Sequence, residues 1–388
     1  MIEKDDVTMT EILITSIKLM VVPCNFVYSY RIDWWDILGN RQNYDLVVNA
    51  IVLHNLSNQR VSLESITFEG AIKGQIIQNT ILDQAAIQKI MNRVLVKDQL
   101  GLRRLIDLIL GTKLTNLRTA LLSANTEIES GHVLVLPNIY LMFHTQPDRL
   151  MIGAKLNTKG NELNIKTELG VVERTCPVKY SMPLHGIWLM KGIPNSGVLD
   201  HHRFGISSSF GVDFLRLGPQ GEVFKNDGKL IEDYFSYSEK VFAAAEGKVI
   251  SVHDAEVQCW SRFNPDNGET EDHFQKRQFE EIQTALHGDI GKWVAGNYII
   301  IQHKMCEYSA YLHLKQHSAI VKEGDIIQRG QQIAEVGNTG DSFGAHLHFQ
   351  VIDSPDLVEG RSLPFEFENL EFFLSEPGCL VKPIGQGQ

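Results

Sequence analysis

Short runs of alternating, β-branched residues, closed off by Asn, Ser, Gly and Pro, recur through most of this chain and constrain its fold more than any other feature. Strand side chains alternate faces, so such runs describe half-buried strands. The first lies between Glu11 and about Asn25. Asp45–His54 and Val61–Phe68 follow, joined by Asn55-Leu56-Ser57-Asn58-Gln59, and read as a hairpin. From 132 to 135, 139 to 144, 150 to 155 and 163 to 172 the same pattern returns. Between the two sets, about 81–123, the period changes. Ile87, Ile90, Met91, Val94 and Leu95 lie on one helical face and Leu102, Leu105, Ile106 and Ile109 on another, with Asp83 placed to cap and Gly111 to stop. These spacings predict a mainly β chain whose N-terminal part, 1–178, is a β-sandwich with a helical insertion. The Pro-punctuated stretch around Cys176-Pro177 and Met182-Pro183 marks the boundary with 179–388.

The second part is richer in chemistry. Ile187–Met190, Val241–Val252, Gly296–His303 and Ser309–Leu314 read as strands. Ser209, Gly211 and Asp213 are expected on one strand face, and Tyr311 and His313 on another. An insertion of about 254–295 carries an amphipathic helix, Glu271–Leu286, and its length suggests a rim or lid element. Glu246-Gly247-Lys248-Val249-Ile250 and Glu323-Gly324-Asp325-Ile326-Ile327 read as one short half-motif used twice. In Ala345-His346-Leu347-His348-Phe349, two imidazoles project from the same strand face, an arrangement suited to a metal with an adjacent proton donor. The preceding Gly337-Asn338-Thr339-Gly340 reads as a hairpin turn, because no helix follows it to form a phosphate cradle.

Composition removes several classes. A net charge of −11 disfavours sequence-independent nucleic-acid binding. The 5 cysteines are scattered and never form Cys-x-x-Cys, so neither a disulfide framework nor a thiolate zinc cluster is indicated. Thr15, Ser16 and Lys18 interrupt the apolar run near the start, and no apolar stretch suits a transmembrane segment or a secretory signal. By default that places the chain in the cytoplasm.

In order along the chain, Phe210-Gly211-Val212-Asp213, Ala244-Ala245-Glu246-Gly247-Lys248-Val249, Gly296–Ile301, Tyr311-Leu312-His313-Leu314 and Ala345–Phe349 resemble the lysostaphin-type (LytM domain) zinc metallopeptidases. The resemblance spans roughly the second half. It implies antiparallel sheets of the duplicated hybrid-motif type, Zn²⁺ as cofactor, peptide hydrolysis by metal-activated water, and peptide crosslinks of peptidoglycan as substrate. It also implies a cell-envelope or extracellular setting, at odds with the cytoplasmic default. Carried over residue by residue, Asp213 and His348 match metal ligands, and His313 and His346 match the histidines that assist the water. The family's first His ligand, four residues before Asp213, is replaced by Ser209. Three alternatives stay open: a metal-free module that binds or regulates a protein partner, a third ligand from elsewhere with His201 and His202 nearest, or loose metal binding completed by substrate.

Overall fold

The computed structural model describes residues 16–34, 41–99, 120–174, 176–192, 202, 205–258, 268–287, 289–375 and 378–383. The chain divides into two compact units, Met1–Arg174 and Thr175–Gln388. Mainly antiparallel β structure fills both, as the alternating runs predict.

The first unit contains β1 (Ile17–Val22), β2 (Phe26–Trp34), β3 (Arg41–Asn55), β4 (Val61–Ile72), β5 (Gln75–Asp83), α1 (Gln84–Gln99), β6 (Glu127–Ile128), β7 (Val133–Phe143), β8 (Arg149–Thr158) and β9 (Asn161–Glu173). The nine strands join in one sheet around one apolar cluster. Among the described residues, every pairing between these strands is antiparallel except β2 with β9. In β8, Leu150, Ile152, Ala154 and Leu156 enter the core by strict alternation. In β4, Val61 and Leu63 do so, then Ile66 and Phe68, three residues later rather than two. A register shift between Leu63 and Ser65 supplies the extra residue and restores the inward face. The Asp83 carboxylate caps α1 by accepting from the Ala86 amide at 2.8 Å, and Ile87 and Met91, one turn apart, join the core. The second expected helical face, Leu102–Ile109, lies outside the described residues.

The second unit contains β10 (Trp188–Lys191), β11 (Val212–Leu215), β12 (Lys240–Phe242), β13 (Gly247–His253), α2 (Glu271–His287), α3 (Ile290–Ala295), β14 (Asn297–Gln302), β15 (Tyr308–Leu314), β16 (Ile326–Ile327), β17 (Gln332–Glu335), β18 (Leu347–Ile352), β19 (Leu370–Ser375) and β20 (Gly378–Pro383). A nine-stranded sheet runs in the order β16-β13-β14-β15-β18-β11-β10-β20-β19, and β12 pairs with β17 separately. The run expected as one strand, Val241–Val252, is therefore two strands in two sheets. The two similar half-motifs meet each other: Gly247 pairs with Ile327 and Lys248 with Ile326.

Behind β18, a buried aromatic layer fixes the central strands. The Phe349 ring lies 5.1 Å from Tyr311 and 5.3 Å from Phe365, both edge-on. Phe349 stands beside Val212 on one neighbouring strand and Tyr311 on the other. Alternation then sends its neighbour in sequence, His348, to the opposite face, where the candidate site lies.

Candidate metal centre

The site is built on three interior strands. β11 and β18 place Asp213 directly across from His348, and β15 pairs with the other side of β18, setting Leu312 opposite His348. His348 Nδ1 lies 2.9 Å from Asp213 Oδ1, while its Nε2 lies 2.8 Å from Gln350 Oε1. Gln350 is two residues on, on the same strand face. With Oε1 accepting the Nε2 proton, Nδ1 turns its lone pair towards a carboxylate oxygen. Two acceptors at that separation call for a proton or a cation between them. Burial pushes His348 below the ordinary histidine range despite the opposing pull of Asp213, which disfavours the proton.

Strict alternation would put His313 on the aromatic side with Tyr311. Three residue steps of β15, from Leu314 back to Tyr311, are matched by only two of β14, from Asn297 to Ile299. His313 takes up the extra residue at φ 61°, a left-handed conformation that few residues other than glycine adopt. The bulge turns its ring to the site face, with its centroid 4.7 Å from His346 and 6.0 Å from His348. The expectation that Tyr311 and His313 share a face is thus corrected. Tyr311 points the other way, its hydroxyl accepting from the Ala244 amide at 2.7 Å.

The loop between β17 and β18 orients the remaining imidazoles. Neither strand pairs with the other, so Gly337–Gly340 is not the hairpin turn read from the sequence. The Thr339 carbonyl accepts from His313 Nδ1 at 2.8 Å, leaving Nε2 as the free lone pair. The Thr339 hydroxyl donates to the Leu314 carbonyl and accepts from the Asn297 amide, fastening the loop to β15 and β14. His346 stands one residue before β18. Its Nδ1 meets the Gly344 carbonyl at 2.8 Å and its Nε2 lies 3.5 Å from Asp213 Oδ1.

Charge separates the two outer imidazoles. Burial, reinforced by the neighbouring histidines, drives His313 well below the ordinary range, so it stays neutral. Burial also opposes a charged His346, but Asp213 and the Gly344 carbonyl outweigh it and raise this ring. One ring is thus set to accept a proton and the other to hold one.

Residues near the start of the second unit supply the last member. His202 Nε2 lies 3.1 Å from Asp213 Oδ1, and its ring centroid 4.9 Å from that of His348. His202, Asp213 and His348 are all buried and each offers one ligand atom, all within 4.8 Å of one another. Two imidazole nitrogens and a carboxylate oxygen are a donor set that suits zinc with one position left open. His201 lies outside the described residues. Ser209 does not share a strand face with Asp213: β11 begins only at Val212, and the Ser209 hydroxyl donates to the Gly205 carbonyl at 2.6 Å. The signal for this turn is the Ser207-Ser208-Ser209 run between Gly205 and Gly211, residues whose hydroxyls and conformational freedom favour turns over strands.

The second unit thus brings a buried His/Asp triad that could hold a metal ion beside two further histidines on an antiparallel sheet. A model of peptidase family M23 matches residues 277–359. Among curated proteins, the chain is 47% identical over 58 residues to peptidoglycan DD-endopeptidase ShyB of Vibrio cholerae, 15% of this chain and 13% of that protein. It is 40% identical over 83 residues to ShyA of the same organism, a peptidoglycan DD-endopeptidase, covering 21% and 18%. The chain thus spans less than a fifth of the length of either relative. Among solved structures, a zinc-containing peptidase from Vibrio cholerae aligns at 17% identity over 86% of this chain and 83% of that one, with a TM-score of 0.23.

Proposed function

We propose that this chain is a zinc-dependent endopeptidase that hydrolyses peptide crosslinks of bacterial peptidoglycan. The observation that carries the proposal is the approach of Asp213 to His348 beside His313 and His346. Asp213 and His348 hold the metal. Bound zinc supplies an open coordination position, lowers the pKa of water towards neutrality and polarises a carbonyl.

The remaining roles belong to the protein. Neutral His313, with Nδ1–H held by the Thr339 carbonyl, presents Nε2 to accept a proton from the attacking water. His346, biased towards its protonated form, donates to the negative charge that develops at the scissile carbonyl oxygen. The names of the two Vibrio relatives, both peptidoglycan DD-endopeptidases, support peptidoglycan as the substrate class. Ser209 in the family's first ligand position favours a second reading, a non-catalytic module that binds or regulates a protein partner.

Incubating zinc-loaded full-length protein with purified crosslinked muropeptides separates the two. The endopeptidase reading expects conversion of dimers to monomers that stops on chelation and returns with zinc. Zinc uptake without any cleavage would refute it and favour the binding module.

A further inference from the structure

We infer that His202 is the third metal ligand of this chain, carried to the site by a serine-stapled turn in place of a ligand at position 209. The inference rests on the reading that Asp213 and His348 bind zinc. The Ser209 oxygen is turned away from a ligand role, since its proton goes to the Gly205 carbonyl. A serine hydroxyl is also a poor zinc donor beside neutral imidazole. What the serines do instead is fold the segment back. Ser208 Oγ donates to the His202 carbonyl at 2.9 Å, and the Gly205 amide reaches the same carbonyl at 3.3 Å. The Gly211 amide donates to the Ser208 carbonyl at 2.6 Å, closing the turn immediately before β11.

The turn is fastened from outside as well. Ser207 Oγ donates to the Leu357 carbonyl at 2.6 Å, and the Phe210 amide donates to Ser362 Oγ at 3.0 Å. Held at Ser207 and Phe210, it delivers an imidazole that lies eleven positions before Asp213 in sequence to within 3.1 Å of that carboxylate. His202 is therefore a direct ligand, and Ser208 and Ser209 are positioning residues that act through the backbone of the turn.

Zinc content and affinity of the full chain, measured by competition with a chromophoric chelator, test the assignment without recourse to hydrolysis. Wild type should bind about one equivalent. His202→Ala should weaken binding by more than ~100-fold, beyond the 10–100-fold typical of an outer-shell residue, whereas Ser208→Ala/Ser209→Ala together should fall within that range. His202→Cys guards against a folding defect: loaded with Co²⁺, it should gain a thiolate charge-transfer band that cobalt-loaded wild type lacks. Wild-type affinity in His202→Ala, or no new band in His202→Cys, would overturn the ligand assignment while leaving the endopeptidase reading standing. A wild-type chain that takes up no zinc would overturn both.

Discussion

Gly211 is the position where the smallest change should do most to the metal centre. A Cβ placed there would sit 2.7 Å from His348 Cε1 and 3.0 Å from both His348 Nε2 and the Ser208 carbonyl oxygen. The first contact is about 0.7 Å inside the 3.4 Å at which ordinary van der Waals contact begins. An exposed imidazole could swing aside at little cost, but this one is buried, held at Nε2 by Gln350, and its Nδ1 faces Asp213 at 2.9 Å across the proposed metal position. Retreat on the other side runs into the backbone of the serine turn. Metal sites tolerate displacements of only about 0.2 Å in ligand distance. Gly211→Ala must therefore either push His348 off its ligand position or strain the turn that carries His202. Overpacking of this kind costs about 1–3 kcal/mol. If that cost appears mainly in the metal-bound geometry, zinc affinity should fall by roughly 5- to 150-fold, at ~1.4 kcal/mol per factor of ten. Competition titration against a chromophoric chelator reads the affinity, and thermal melts in excess chelator read the stability of the metal-free fold. Unchanged zinc affinity, with an unchanged metal-free melt, would refute the claim that Gly211 is required for close approach to His348.

Three further outcomes follow from other parts of the second unit. His313→Ala and His346→Ala should each keep zinc yet lose about 10²–10⁴-fold in muropeptide hydrolysis, and loss of zinc from either would recast it as a ligand. Tyr311→Phe removes the acceptor for the buried Ala244 amide, so it should cost about 1–3 kcal/mol in chemical denaturation and leave zinc affinity unchanged. His303, buried against the Glu246 carbonyl and Ser309 Oγ, is lowered chiefly by desolvation, so below its ordinary pKa the unfolded chain binds a proton that the folded chain refuses. Stability should fall as pH drops below about 6.5, by up to ~1.4 kcal/mol per unit from this group, and His303→Gln should flatten the slope measured in chelator between pH 7 and 5; an unaltered slope would contradict the assignment.

The mainly β class, the capping Asp83 and most strand positions are legible in the sequence, because each depends on alternation or on a local hydrogen bond. So is the pairing of Asp213 with His348, since its motif order carries a recognisable chemistry. What alternation misses are the places where the chain departs from its period. One bulge reverses the facing of His313, and nothing in Tyr311-Leu312-His313-Leu314 signals that His313 adopts a positive φ. The four residues between β12 and β13 carry no Pro, so a continuous apolar run gave no sign that it changes sheets. Pro137 lies between the two runs expected at 132–135 and 139–144, which the structure joins as one strand, β7. His202 was the hardest to see, since its approach to Asp213 depends on hydroxyl-to-carbonyl hydrogen bonds that no strand or helix period encodes.

The bulge at His313 also explains how one sheet serves two incompatible environments. On the aromatic side, β15 contributes Tyr311, whose hydroxyl burial raises its pKa to about 12 and keeps it a neutral hydrogen-bonding group. On the site side, the same strand must contribute an imidazole only two residues later, which strict alternation forbids. An extra residue resolves this by changing facing just past the pair Leu312 and His348, where the pairing of β15 with β18 ends. The cost is a non-glycine residue at φ 61° in a buried strand, of order 1–3 kcal/mol. The Thr339 carbonyl on Nδ1 and the Gly337 amide on the His313 carbonyl both hold that conformation in place. Strain located at a proposed proton acceptor, and supported by the loop that also orients His346, ties the two assisting histidines into one unit. Deleting the Thr339 side chain should therefore disturb both: Thr339→Ala removes the hydroxyl that fastens the loop to Leu314 and Asn297. Hydrolysis should fall with zinc retained, and a Thr339→Ser variant, which keeps the hydroxyl, should recover most of it. Equal loss in both variants would show that the methyl packing, not the hydroxyl anchor, sets the loop.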